Sequence, residues 1–287
     1  MAFNTVINTN MMALTAHRNL GAVGNRQARA NQKLSSGKKI NSAADDAAGL
    51  AISDKMKAQI RGLDMATKNA EDATSLIQTA EGSLSEISNM LQRVRELTLQ
   101  AANGTNTVED RKKLSAEVTQ LEKEINSLGD RMEFNKIKLG TGVLSGGGLV
   151  FQVGANKDQI LSLNLSSAVI TASGMGLKSL GECFAELASG NSTADKWGVL
   201  TQKIDDSLGK IAEKRATLGA MQNRLEYTTN NLKNSSENLS AANSRIEDTD
   251  MAKEMMNLTQ ANVLQQAATS MLAQANQAPN SITQLLG

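Results

Sequence analysis

The sequence predicts a mainly α-helical protein, an elongated, folded-back antiparallel coiled-coil bundle with one small β-hairpin region. Three observations support this fold class: two long heptad seams, a lack of aromatic residues and a lack of proline. Aromatic residues make up 2% of the chain, so the large rings that usually fill a thick core are nearly absent. Pro279 is the only proline, so little in the sequence forces a long helix to break.

Both seams step by three and four residues, which keeps one mostly apolar stripe facing a partner helix over many turns. The first seam consists of Leu63, Ala66, Ala70, Ala73, Ile77, Ala80, Leu84, Ile87, Leu91 and Val94. The second consists of Leu218, Met221, Leu225, Thr228, Leu232, Ser235, Leu239, Ala242 and Ile246. The first seam spans about 48 Å at a rise of ~1.5 Å per residue. Such a length suits a fibre better than a catalytic globule.

Residues 1–34 contain few strong hydrophobes and predict a weak helix that needs a partner. Ser42 and Asp45 match a capping box that opens the long helix. That helix should continue to about Ala102, where Asn-Gly-Thr-Asn predicts a stop and a turn. A helix from about Val108 should return antiparallel; its stripe is Leu114, Val118, Leu121, Ile125 and Leu128.

The middle of the chain loses this periodicity. FNKIKLGTGVLSGGG predicts a glycine-bearing loop, and LVFQVG and QILSLNL flanking GANKD predict a β-hairpin near 148–165. Residues 166–196 predict a short irregular excursion, after which helical periodicity returns near Trp197 and joins the second seam. Thr249 or Asp250 should cap the last helix. The seams can pair only if the chain doubles back, which brings its two ends together.

Composition argues against several partner classes. The net charge is +1, with 30 basic and 29 acidic residues spread along the chain, so we expect neither nucleic acid nor a membrane as a partner. No stretch reaches the ~18 apolar residues of a membrane span, and the first residues lack the pattern of a cleaved secretory signal. Cys183 is the only cysteine, which excludes an intramolecular disulfide and leaves its role open.

Catalytic patterns are also missing from the sequence. His17 is the only histidine, so an HExxH zinc site cannot form, and His17 itself is expected on a helix surface. Asp45 and Asp46 are interpreted as helix N-terminal charge rather than as an acid–base pair. The sequence therefore predicts no catalytic, cofactor-binding or metal site, and a protein that is not an enzyme.

Four sequence segments closely resemble bacterial flagellin. They are INTNMMALTAHRNL, LSSGKKINSAADDAAGLAISDKM, LQRVRELTLQAANGTN and SRIEDTDMAKEMMNLTQANVLQQAATSMLAQANQAPNSITQLLG. The resemblance covers roughly residues 1–165 and 197–287, in the family's order. It implies that residues 1–42 and 247–287 form the innermost filament domain, disordered in the monomer and folded on assembly. Residues 43–246 would form the outer-core bundle, and the excursion at 166–196 is too short for large outer domains.

The resemblance also implies a function and partners. The chain would polymerise into the flagellar filament for swimming motility, outside the cell, after export in an unfolded state by the flagellar type III system. Its partners would be further copies of itself, an export chaperone, the filament cap and the hook-junction proteins. The segment for chaperone binding and polymerisation comprises Met251, Met255, Leu258, Leu264, Met271, Leu285 and Leu286.

The family's contact with the host Toll-like receptor 5 carries over onto four matching positions, Gln92, Arg93, Leu97 and Glu117. Exposed Arg and Glu are also ordinary on a helix, and the same face serves filament packing. A hook-filament junction protein with similar termini is the alternative function, which the C-terminal segment disfavours. The short middle disfavours an enzyme carried on a flagellin backbone. A cytoplasmic coiled-coil adaptor would leave the polar termini unexplained.

Overall fold

A computed structural model describes residues 9–139, 148–163, 180–188 and 194–286. For residues 194–195 and 278–286 it describes the backbone but not the side chains. The helices are α1 (Met11–Ser36), α2 (Ala47–Ala102), α3 (Val108–Arg131), α4 (Leu180–Ala188), α5 (Ala194–Glu247) and α6 (Met251–Leu286). The strands are β1 (Glu133–Phe134), β2 (Ile137–Lys138), β3 (Leu149–Gln152) and β4 (Ile160–Leu163). The predicted mainly α class with a small β region is confirmed. The described residues form two compact units, Ile60–Ser236 and the two ends, Met1–Gln59 with Glu237–Gly287.

In the Ile60–Ser236 unit, α2 and α5 run antiparallel. Four side-chain contacts between the two helices show this direction. From one contact to the next, the residue number on α2 rises while the residue number on α5 falls. The links are Asp64 with Ser236 (2.9 Å), Glu71 with Lys233 (3.0 Å), Glu81 with Arg215 (3.1 Å) and Arg95 with Asp205 (2.6 Å). These ion pairs are partly or largely exposed, so they align the helices more than they stabilise them.

The first heptad seam supplies the core of this unit. Every seam residue from Ala66 to Val94 is at most 1% exposed, and the burial continues through Leu97 and Ala101. The second seam is less complete. Leu218, Leu225 and Leu232 are buried, whereas the alternate positions, among them Thr228 and Ser235, are only half-buried. Small or polar side chains at those positions reach less far into the interface.

The turn between α2 and α3 agrees with the prediction. Thr107 caps α3 in a capping box: its hydroxyl accepts from the Asp110 backbone N–H and donates to the Asp110 carboxylate. These hydrogen bonds lower the pKa of Asp110. At the start of α2 the predicted capping box is wrong. Ser42 and Asp45 close a turn before the helix, and Asp46 is the cap, because its carboxylate accepts from the Gly49 N–H at 2.9 Å.

The irregular interpretation of the excursion is wrong for α4. Phe184 on α4 is fully buried and meets Trp197 edge-on, with ring centroids 5.1 Å apart. The helix lies close to α3: the Gly181 N–H donates to Glu122 Oε2 at 2.6 Å, and a Cβ at position 181 would lie 2.8 Å from Thr119 Oγ1. The helix is short and carries this glycine, which conceals its period. Residues 164–179 and 189–193 lie outside the described part.

The β-hairpin near 148–165 is confirmed as β3 paired antiparallel with β4, with Leu149 opposite Leu163. The loop interpretation just before it is wrong for residues 134–138, which with Glu133 form a small second hairpin of β1 and β2. Its two turn residues, Asn135 and Lys136, have φ of 49° and 65°, as a two-residue hairpin turn requires. The predicted glycine loop at 140–147 lies outside the described residues.

We expect the α2 seam to dominate the stability of the Ile60–Ser236 unit. Leu84 is 1% exposed, so Leu84→Ala should lower the free energy of unfolding by about 2–5 kcal/mol. Leu99 on the same helix is 50% exposed, and Leu99→Ala should change it by roughly 1 kcal/mol or less. Urea unfolding followed by circular dichroism measures both; equal losses would contradict the assigned core.

Candidate assembly surface

The two ends of the chain pair with each other in the terminal unit. The amide of Asn10 donates to the Ala275 carbonyl at 2.7 Å, and the amide of Gln27 donates to Asn262 Oδ1 at 2.8 Å. Residue numbers again rise on α1 while they fall on α6. The terminal helices therefore run antiparallel, in a register that these two hydrogen bonds mark.

The surfaces that face each other carry a heptad seam of their own. On α1 the seam positions, all half-buried or buried, are Ala13, Ala16, Leu20, Val23, Gln27, Ala30 and Leu34, with Gly24 and Lys33 half-buried beside them. On α6 they are Glu254, Leu258, Ala261, Gln265, Ala268, Leu272 and Ala275. Both step strictly by three and four residues. For residues 1–34 the sequence predicted only a weak helix in need of a partner, and this seam was not identified, because alanine and glutamine at these positions conceal the period.

Several large apolar side chains of α1 and α6 lie outside this seam, although Leu20, Val23, Leu34, Leu258 and Leu272 lie within it. On these two helices, those that are at least 40% exposed are Met11, Met12, Leu14, Met251, Met255, Met256, Val263, Leu264 and Met271. Met256 (66%) and Val263 (60%) lie, by helical period, on the face opposite Ala261 and Ala268. Six of the fourteen seam positions are thus alanine, whereas the described methionines of α1 and α6 all lie outside the seam.

A shallow groove of about 520 Å³ lies on this outer face of α6. Two neighbouring i, i+4 ridges line it, Met255–Thr259–Val263 and Met256–Gln260–Leu264. We call the exposed apolar residues of α6 together with this groove the outer face. An apolar surface of this kind on a helix indicates a contact with another protein surface.

The outer face agrees only in part with the segment predicted from the sequence. Met251, Met255, Leu264 and Met271 are exposed, whereas Leu258 lies in the seam facing α1. The side chains of Leu285 and Leu286 lie outside the described part. Sequence reasoning missed Met256 and Val263; their separation of seven residues, opposite the alanine positions, was the available signal.

A buried carboxylate organises the point where α5 ends. Glu247 is 3% exposed and binds Lys38 Nζ at 2.7 Å and Lys57 Nζ at 2.5 Å. It also accepts from the Ser53 hydroxyl at 2.7 Å and from the Asn243 amide at 3.3 Å. Burial by itself raises the pKa of Glu247, but the hydrogen bonds from Lys38, Lys57 and Ser53 outweigh it and lower that pKa to about 2.

The backbone around Glu247 forms an isolated antiparallel bridge. The Lys39 N–H donates to the Glu247 carbonyl at 2.6 Å, and the Thr249 N–H donates to the Gly37 carbonyl at 3.0 Å. Gly37 ends α1 with φ +71°, which glycine adopts readily. Of the two predicted caps for α6, Asp250 is the one used, since its carboxylate accepts from the Lys253 N–H.

The four positions of the predicted receptor contact lie in the other unit, on α2 and α3. Gln92, Arg93 and Glu117 are exposed. The Arg93 guanidinium donates to Glu117 at 2.9 Å and to Glu96 at 3.3 Å, which raises the pKa of Arg93. Leu97 is fully buried, so its side chain belongs to the core and not to the exposed face.

Comparison with known proteins identifies the family. A family model for the bacterial flagellin N-terminal helical region matches residues 7–144, and one for the C-terminal helical region matches residues 201–286. The chain belongs to the bacterial flagellin family. It is similar to flagellin from Halalkalibacterium halodurans (48% identity, 98% of this chain, 99% of that protein) and from Bacillus subtilis (45%, 98% and 99%). Members of this family are structural filament subunits, not enzymes.

A solved structure from Vibrio parahaemolyticus, described as a flagellar hook-associated protein, has a similar fold. Its TM-score is 0.61 at 17% identity, over 71% of this flagellin-family chain and all of that one, which is a likeness of fold alone. No helix in the described ranges is both long and apolar enough to cross a membrane. Among the same residues, no cluster of His, Cys, Asp and Glu could hold a metal ion.

The Glu247 site should make the terminal unit of this flagellin-family chain sensitive to acid. Because the folded-state pKa is depressed from 4.5 to about 2, the stabilisation is fully present above pH 4.5 and is lost as the pH falls towards 2. A shift of this size corresponds to roughly 3 kcal/mol. Hydrogen exchange of the Lys39 and Thr249 amides should therefore accelerate across this window, beyond the intrinsic change in exchange rate.

Glu247→Gln should lower protection of these two amides at pH 7 and remove most of its dependence on pH between 5 and 2. Glu237→Gln, an exposed glutamate on the same helix, is the matched control and should leave both profiles unchanged. An unaltered pH profile in Glu247→Gln would contradict the role assigned to this carboxylate.

Proposed function

We propose that this chain polymerises into the flagellar filament through the outer face of its terminal helices. The observation that carries the proposal is the distribution of side chains: alanine occupies six of the fourteen seam positions between α1 and α6, while six methionines together with Leu14, Val263 and Leu264 project outwards. Burying each such side chain contributes about 1.5–3 kcal/mol. Because leaving these side chains in water forgoes that free energy, we expect another protein surface to cover them in the assembled state.

The occupant we propose for the outer face is another copy of the same chain. Relatives of full length are named flagellin, and a Treponema phagedenis relative with 42% identity is named a flagellar filament core protein. Contacts that join different surfaces of identical subunits generate an open helical polymer when the rotation between neighbouring subunits does not close a ring. Assembly of this kind supplies the extracellular filament that swimming motility needs.

Before assembly, the same apolar residues would be exposed in the cytoplasm. We therefore propose that an export chaperone covers Met251, Met255, Leu264 and Met271, and that the chain leaves unfolded through the flagellar type III system. The thin α1–α6 seam supports this, because it buries little apolar surface and costs little to open. The filament cap and hook-junction proteins are proposed as further partners at the ends of the polymer.

The alternative within the same system is a hook-filament junction protein. The full-length similarity to flagellins at 48% and 45% identity favours the filament subunit. The likeness to the hook-associated protein is one of fold only. Extension assays separate the two, since a junction protein would add a limited number of copies whereas a filament subunit elongates without limit.

Removing the apolar outer face should weaken assembly without disturbing the seam. We expect Met256→Gln with Val263→Thr to raise the critical concentration for seeded filament growth on the order of a hundred-fold, because roughly 3 kcal/mol of burial per subunit is lost. Sedimentation and electron microscopy measure it. Deletion of residues 1–34 or 251–287 should abolish growth while the Ile60–Ser236 unit stays folded.

Lys253→Gln is the matched control for this experiment, since it changes an exposed residue of α6 without removing apolar area. Its critical concentration should stay within about threefold of that of the parent chain. Normal growth of the double variant, or equal loss in the control, would refute the proposed contact surface.

A second proposed contact is with the host Toll-like receptor 5, through the exposed residues Gln92, Arg93 and Glu117. Buried Leu97 would hold α2 in place beneath them. The Arg93–Glu117 pair supports this proposal, because it fixes two charged groups from neighbouring helices on one face. Electrostatic complementarity of this kind gives a contact orientation and specificity.

Arg93→Ala should weaken receptor signalling by purified monomer by on the order of tenfold, as expected for loss of one charged contact. The matched control is Arg131→Ala, which removes another exposed arginine paired with a glutamate, Glu124, on α3. Signalling by Arg93→Ala equal to that of the control at the same monomer concentration would count against this contact.

A further inference from the structure

The alanine positions of the α1–α6 seam do little to fix its register. Ala261, Ala268 and Ala275 recur every seven residues along α6. A slide of one heptad would therefore present the same small side chain to α1 at each of these positions. In coiled coils, a unique alignment under such conditions usually comes from polar residues.

Pro279, the only proline in the chain, leaves one carbonyl in the interior of α6 without its helical hydrogen-bond donor. In an α-helix the carbonyl of residue 275 accepts from the backbone N–H of residue 279. Proline has no N–H, although α6 continues through it to Leu286. The carbonyl of Ala275, a residue only 5% exposed, is thus left without its helical donor.

Asn10 provides the replacement donor from the opposite helix. Its Nδ2 donates to the Ala275 carbonyl at 2.7 Å, and its Oδ1 accepts from the Ala13 N–H at 3.0 Å. One amide therefore both caps α1 and satisfies the carbonyl that Pro279 frees. This ties the first turn of α1 to a single position on α6.

We propose that Asn10 and Pro279 together form a register lock for the terminal helices, with the Gln27–Asn262 hydrogen bond as a second contact. After a slide of one heptad, Asn10 would face the carbonyl of residue 268 or 282, and neither has a proline four residues later. Only one alignment offers Asn10 an unoccupied carbonyl. Both residues of the lock belong to one chain, so it aligns the two terminal helices of each subunit with each other.

Disulfide trapping in the full-length chain tests this lock. In a Cys183→Ser background, one cysteine is placed at position 20 and a second cysteine on α6. The second lies either at 268, which the observed register places opposite position 20, or at 261 or 275, which lie one heptad away in each direction. The readout is the ratio of aligned to slid disulfides after equilibration. The decisive variant is Asn10→Asp, which keeps the helix cap but cannot donate to the Ala275 carbonyl.

We expect the aligned disulfide to dominate in the parent, and Asn10→Asp to lower the ratio by about tenfold or more. Pro279→Ala should also lower it, because residue 279 then donates to the Ala275 carbonyl. Adding Asn10→Asp to Pro279→Ala should change it little further. Asn31→Asp, at an exposed asparagine on α1, is the matched control and should leave the ratio unchanged.

Three results would overturn the lock. The first is an unchanged ratio in Asn10→Asp. The second is that Asn10→Asp lowers the ratio equally in the parent chain and in the Pro279→Ala variant. Equal effects in the two backgrounds would mean that the two residues are not coupled. The third is loss of all three disulfides in Asn10→Asp, which would mean that Asn10 stabilises the helix pair without selecting its register.

Discussion

The narrow seam between the first and last helices is the constraint on which the rest of the molecule depends. Alanine at positions 30, 261 and 275 keeps the contact between α1 and α6 thin, so this contact buries only part of the large apolar side chains of α6. Met256, Val263 and Met271 face outwards instead. A chain built in this way folds its ends only partly through its own contacts, and completes their burial through another protein surface.

The Ile60–Ser236 unit follows the opposite arrangement. Its large residues Ile77, Leu84 and Leu91 lie inside, and exposed ion pairs such as Arg95–Asp205 set the alignment of the helices. This unit holds its own core.

The buried Glu247 at the end of α5 receives two lysines and a serine, all from residues 38–57, and so fixes the chain where α6 begins.

The sequence predicted those features whose cause is local or periodic. The α2 seam, the start of α3 near Val108, the β3–β4 hairpin and a cap at Thr249 or Asp250 all have short signals in the chain. The α4 helix was missed because it is nine residues long and contains Gly181. The terminal seam was missed because many of its positions are alanine or glutamine, which do not stand out as a hydrophobic repeat. The bonds of Glu247, Asn10 and Gln27 join residues 190–265 positions apart, so no local pattern could reveal them.

Methionine oxidation tests the central claim most directly, because it reports the solvent exposure of the outer face without altering the chain. Met256 is 66% exposed in the single chain, whereas Met132 is 3% exposed and serves as an internal buried reference. Dilute peroxide followed by mass spectrometry gives both oxidation rates before and after assembly. The account predicts that Met256 is oxidised much faster than Met132 in the monomer and slows towards the Met132 rate in the polymer. Fast oxidation of Met256 in both states would contradict it.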